Sequence, residues 1–208
     1  PHLGDLLASK WGVPIGFYSI GWGGTSVSQW RPQVENGLFN RFRDVFQQVG
    51  PHGLRFILWH QGESDVGLKQ SHDYAAQLEE VITATRVEAG WDIPWGVARA
   101  SFVPGALETD MDQIAAGQDA VIQSDPLTFA GPNTDELIGE LWRYDGIHFN
   151  EAGLIEHAER WSLLLELPCA AVDICNGLDD DCDGQTDEGS CDDGFICTTD
   201  SCDADLGC

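Results

Sequence analysis

The apolar positions of this chain change period several times along its length. Residues 14–20 (P-I-G-F-Y-S-I), 54–59 (L-R-F-I-L-W) and 93–101 (I-P-W-G-V-A-R-A-S) are short, mostly apolar runs. Runs of this length suit strands buried on both faces. Between them apolar residues recur at helical spacing: Leu38, Phe42, Val45, Phe46 and Val49 before a Gly50-Pro51 stop, then Tyr74, Leu78, Val81, Ile82 and Thr85 before Gly90. Residues 127–130 read as a fourth strand. Asn150 is placed to cap a last helix whose predicted inner face is Leu154, Ala158, Trp161 and Leu165. Strand and helix in alternation predict an α/β fold, a parallel sheet covered by helices on both sides. Ligands in such sheets bind in the loops at the carboxyl ends of the strands. The unusual residues stand there: G-W-G-G-T-S (21–26) follows the first run and H-Q-G-E-S-D (60–65) the second.

The pattern breaks after L-L-L-E-L-P (163–168). All seven Cys fall between residues 169 and 208, and every Lys and Arg lies before them. Residues 1–168 are therefore predicted to form one domain and residues 169–208 a small module. So short a segment cannot bury enough apolar area to fold unaided, and its cysteine density is that of a disulfide-stapled extracellular module. Secretion follows as an expectation, with a targeting segment expected upstream of Pro1. The formal charge of -25 repels phosphate backbones and anionic lipid surfaces, which argues against nucleic acid as a partner. No apolar run approaches the ~18 residues of a membrane span.

Three clusters carry candidate chemistry. In Y-D-G-I-H-F-N (144–150), Asp145 stands three residues ahead of His148. Folded back in one turn, it would accept a hydrogen bond from Nδ1-H, fix the tautomer and leave Nε2 as a base. Gln61 is a candidate donor to a developing oxyanion. Gly23-Gly24 reads as a tight turn exposing backbone N-H groups. Glu63 is expected to tie neighbouring loops together. Trp22, Trp30, Trp59 and Trp142 stand near these loops as candidates for an aromatic binding platform, with core packing the better reading of Trp59.

The order G-G-T-S-V-S-Q-W, then W-H-Q-G-E-S-D after a strand, then D-G-I-H-F-N-E-A-G-L before a terminal helix, resembles the SGNH hydrolase superfamily over roughly residues 3–165. The branch it resembles contains the sialate O-acetylesterases and acetylxylan esterases. The resemblance implies a flavodoxin-like three-layer α/β/α sandwich that removes acetyl groups from sugars through an acyl-serine intermediate, with no cofactor. It makes His148 the general base and Asp145 its orienting partner. Gln61 and a backbone N-H of Gly23 or Gly24 would form part of the oxyanion hole. The family's first block, a Gly-x-Ser-Asn-like segment with the nucleophile, has no counterpart here and is expected upstream of Pro1. Ser26 and Ser64 lie in the relevant loops but not in a nucleophile elbow. The competing class is a non-catalytic carbohydrate-binding or adhesion protein.

In the last 40 residues Asp179, Asp181, Asp183, Gly184 and Asp187 give D-x-D-x-D-G-x-x-D. These are oxygen ligands at loop positions one, three, five and nine with Gly at six, a set suited to calcium. Ser190 occupies the twelfth position, where an EF-hand has Glu, so the segment resembles the shorter loops of dockerin-like and thrombospondin-like repeats. Attachment to a cell surface or a polysaccharide is the role such a module would serve.

Overall fold

The computed structural model describes residues 2–50 and 53–166. The predicted module at 169–208, with its cysteines and with Asp179, Asp181, Asp183 and Asp187, lies outside the described residues.

Three parallel strands form the sheet: β1 (Ile57–Trp59), β2 (Trp95–Arg99) and β3 (Thr128–Asn133), in that order. Leu58 stands opposite Gly96, and Gly96 opposite Phe129. Because side chains alternate across a strand, each strand feeds two cores. Ile57, Trp59, Trp95 and Val97 face one of them. Phe56, Leu58, Ala98 and Phe129 face the other.

The first core is closed by α2 (Asn40–Val49), α3 (Ser71–Ala89) and α4 (Glu108–Ser124), through Phe42, Tyr74, Leu78, Val81, Ile114 and Val121. Its centre is aromatic: Trp59 lies 5.6 Å from Trp30 and 5.8 Å from Trp95, ring centroid to centroid. Each such ring withdraws a large apolar area from water, on the order of 1.5–3 kcal/mol per side chain. The second core is closed by α1 (His2–Trp11) and α5 (Glu151–Leu164), through Leu7, Trp161 and Leu165. The sheet thus sits between two helical layers, as the alternation of elements predicts.

Trp161 packs closely against the sheet because two strand residues lack side chains. A Cβ at Gly96 would stand 2.8 Å from its ring and one at Gly131 only 2.4 Å. The Lys10 ammonium donates to Ser162 O at 3.1 Å and Leu165 O at 2.8 Å, supplying protons to carbonyls that the end of α5 leaves open.

Several expectations are corrected. Residues 14–20 form no strand: no strand among the described residues pairs with them, and Phe17 and Tyr18 are half exposed. An apolar run becomes a strand only where a ladder can satisfy its backbone groups. Two helices stood outside the sequence reading. In α4 the buried row is Ile114, Gly117, Gln118 and Val121, so a glycine and a buried amide break the apolar stripe. In α1 Leu7 is the buried residue. On α5 Leu154 is exposed, and Gly153 takes its place beside Ala158 and Trp161 on the inner face. The cap is as predicted, with Asn150 Oδ1 accepting from Gly153 N at 2.9 Å.

Candidate active site

The Asp145–His148 loop folds back as its spacing requires. Asp145 Oδ1 accepts from the backbone N-H of Ile147 at 2.9 Å and of His148 at 2.7 Å. Oδ2 lies 2.7 Å from His148 Nδ1. The hydrogen bond from the His148 side chain, then those from the two amides, pull the Asp145 carboxyl down to about 2. It is therefore an anion across the physiological range, Nδ1 is the donor, and the Nε2 lone pair points away from Asp145. The imidazole is largely exposed, with the Tyr144 ring stacked beside it at 5.8 Å. Tyr144 N donates to His148 O at 3.0 Å, closing a small hairpin whose arms meet as the Arg143–Phe149 bridge.

The loop after β1 is held by a buried network. Gln61 Nε2 donates to Thr25 O at 2.9 Å and to Asp65 Oδ2 at 2.7 Å. Gln61 O accepts from Tyr74 Oη at 2.8 Å and from Gln118 Nε2 at 3.0 Å. Burial pushes the Tyr74 phenol well above its ordinary range, so it stays a neutral donor. Asp65, fully buried, also accepts from Ser26 Oγ and, at 2.9 Å, from Val27 N. Both amide protons of Gln61 are thus engaged, and an oxyanion would take one only in exchange for Thr25 O. Gly62 is fixed by packing, since a Cβ there would meet Ala100 O at 2.1 Å.

His60, Thr134 and Arg143 bring this loop and the Asp145–His148 hairpin together. Thr134 Oγ1 donates to Arg99 O at 2.7 Å, which makes His60 Nε2, 3.0 Å away, the donor to Thr134. Thr134 O in turn accepts from the Arg143 guanidinium at 3.0 Å. The His60 ring packs 6.0 Å from Phe149 and 4.8 Å from His157. His157 Nε2 accepts from Trp161 Nε1 at 2.9 Å. Burial, then the neighbouring His60, Arg143 and Arg160, lowers His157 to about 3, and burial lowers His60 as well. His60, Arg143, His157 and Gln118 were not among the residues expected from sequence. His60 adjoins Gln61, and Arg143 stands two positions before Asp145; that proximity is the signal the chain offered.

Gly23 and Gly24 form the expected exposed turn, with Gly24 at φ 72. Of the platform candidates, Trp59 is core as expected, and Trp30 is corrected to core, 4% exposed with Nε1 donating to Thr25 Oγ1. Trp22 is 60% exposed, its ring backed by the Arg41 guanidinium at 4.5 Å. Ser26 donates its proton to Asp65 and caps the short 3-10 turn Val27–Trp30; Ser64 stands in a second such turn, Glu63–Asp65. Among the described residues no group of three or more His, Cys, Asp or Glu is placed to hold a metal ion, and no helix is long and apolar enough to cross a membrane.

Among solved structures the chain is similar to a carbohydrate acetylesterase from Xanthomonas citri, with 19% identity and a TM-score of 0.59 over 83% of this chain and 42% of that one. At that identity the likeness bears on the fold, and the chain spans less than half the length of that structure. No curated protein matches it. The family model for "Carbohydrate esterase, sialic acid-specific acetylesterase" matches residues 4–161, the stretch that holds the Gly23-Gly24 turn, the Gln61 loop and the Asp145–His148 hairpin. With that match over most of its length, the chain belongs to the carbohydrate esterase family of sialic acid-specific acetylesterases.

Proposed function

We propose that this chain carries the acid–base machinery of a serine esterase that removes acetyl groups from carbohydrates. The observation that carries the reading is the Asp145–His148 pair, with Nδ1 fixed on a carboxylate at 2.7 Å in an exposed loop beyond the strand ends. His148 Nε2 takes the proton of a serine hydroxyl as its oxygen attacks the acetyl carbonyl. It returns that proton to the departing sugar oxygen, and water then repeats the cycle on the acetyl-serine. Asp145 stabilises the imidazolium that forms in between. The N-H groups of the Gly23-Gly24 turn, with Gln61 once it exchanges Thr25 O, supply the oxyanion contacts.

The nucleophile belongs, on this reading, to the family's Gly-x-Ser-Asn-like block outside these 208 residues. The engagement of Ser26 with Asp65 and of Ser101 with Asp135 supports this, since both hydroxyl protons are already donated. The cysteine-dense segment 169–208 supports a secreted protein, and the spacing of Asp179, Asp181, Asp183 and Asp187 supports a calcium-binding module for attachment to a cell surface or polysaccharide.

A fluorophosphonate probe tests the assignment. It should label a longer chain that includes the first block at a serine upstream of Pro1 and leave the 208-residue chain unlabelled. Stoichiometric labelling at Ser26 or Ser64, abolished by His148→Ala, would put the nucleophile inside this chain and overturn that assignment.

A further inference from the structure

Arg143 is 2% exposed, and an arginine so deeply buried ordinarily lies against a carboxylate. Here its protons go to backbone carbonyls. Nε donates to Leu137 O at 2.6 Å, one terminal nitrogen to Thr134 O at 3.0 Å, and the other to Ile147 O. The Phe149 ring lies 4.4 Å from the guanidinium carbon and the Phe102 ring 5.4 Å. Three segments therefore converge on one planar cation: the loop after β2 through Phe102, the segment after β3 through Thr134 and Leu137, and the hairpin of the candidate base through Ile147 and Phe149.

Ile147 is the decisive contact. Its carbonyl accepts from Arg143, and the N-H of the same peptide, that of His148, donates to Asp145 Oδ1 at 2.7 Å. The plane of the Ile147–His148 peptide is thus held from both sides, and with it the direction in which the His148 side chain leaves the backbone. Asp145 can orient the ring only if that direction is already right. The carbonyl anchors at Thr134 and Leu137 tie the hairpin to the end of β3, and Ser101 and Phe102 are tied to the same end by their N-H bonds to Asp135 at 2.7 and 2.8 Å. Burial works against the guanidinium's charge and lowers its pKa, while the charges of Glu63, Asp135 and Asp145 act in its favour.

We propose that Arg143 is a positioning residue for the Asp145–His148 pair: by bonding Ile147 O, Thr134 O and Leu137 O together, it fixes the tautomer and orientation of the candidate base. Lysine cannot reproduce this, because a single ammonium on a flexible stem does not present a planar fork. The inference rests on His148 being the base of the proposed reaction, yet its test needs no activity and is separable from that reading.

The test is histidine-ring ¹⁵N NMR on the 208-residue chain, reading tautomers from the two ring nitrogens as pH is varied, for wild type, Arg143→Lys and Arg143→Met. Wild type should show His148 as the Nδ1-H tautomer. Both variants should shift its neutral form toward Nε2-H, the tautomer that an unrestrained imidazole prefers in water. His157 is the internal control: Trp161 holds it as Nδ1-H, and that signature should persist wherever the second core is intact. Should Arg143→Met lose the His157 signature, it has failed to fold and Arg143→Lys decides. An unchanged His148 tautomer in a variant that retains the His157 signature would overturn the proposal, whatever the fall in thermal stability.

Discussion

The carboxylate of Asp65 lies 2.7 Å from the amide nitrogen of Gln61, and both residues stand on the same loop at the end of β1. Asp65 gathers donors from two blocks that are distant in sequence, taking Ser26 Oγ and Val27 N from one and Gln61 Nε2 from the other, with the Lys69 ammonium 3.7 Å away. Buried and acceptor-only, it is the hub that seats the Gly23-Gly24 turn beside Gln61.

Asp65→Ala should therefore destabilise the protein by about 3–5 kcal/mol, since it strands several buried donors and uncouples a buried charge pair. Urea unfolding measures this. A loss under ~1 kcal/mol would mean that water reaches those donors.

Gly62→Ala should cost about 1–3 kcal/mol or more, because the new Cβ would stand 2.1 Å from Ala100 O and 2.7 Å from Gln118 Nε2. The first of these is backbone and cannot swing aside. Chemical denaturation of this variant, compared with Gly105→Ala at a turn where a Cβ meets nothing within 4 Å, separates crowding from the strain of a positive φ alone.

Acid should destabilise the fold through two partly buried histidines, His60 and His157. His157 is held at about 3 in the folded state against an ordinary value near 6.5, and burial lowers His60 too. The unfolded chain then binds protons that the folded chain refuses, so stability is fully present above about pH 6.5 and falls as pH drops toward 3. Melting temperatures should decline across that window, and His157→Phe should flatten the decline. An equally steep curve in the variant would exonerate His157.

Trp22→Ala should raise KM for an acetylated oligosaccharide about 2- to 10-fold in a catalytically complete chain, if one sugar ring stacks on the exposed indole. KM for a small aryl acetate should not move, since such a substrate does not reach beyond the acyl site. Equal effects on both substrates would assign Trp22 to the shape of the Gly23-Gly24 turn.

Calcium should bind the 208-residue chain through Asp179, Asp181, Asp183 and Asp187. Their carboxylates repel one another unless a cation neutralises them. Titration calorimetry should show calcium heat that Asp181→Asn with Asp183→Asn removes; heat unchanged in that double variant would move the site elsewhere.

What the sequence determined was local or periodic. The Asp145–His148 spacing dictated its own hydrogen bond, because three residues of one turn suffice to close it. Asn150 announced the start of α5, and the strands near residues 57, 95 and 128 were legible as short, mostly apolar runs. What only the tertiary structure decided depends on partners far along the chain. Residues 14–20 have strand composition but join no ladder among the described residues. Trp30 reads like Trp22 in sequence, yet one is core and the other surface. Gln61 looked like an available donor, and the fold gave both its protons to Thr25 and Asp65. The site's deepest supports, Arg143, Gln118 and Asp65, are buried polar residues, and Gln118 interrupts the apolar stripe of α4. Burial alone would penalise them, and only the carbonyls, amides and hydroxyls that the fold brings to them make their places stable.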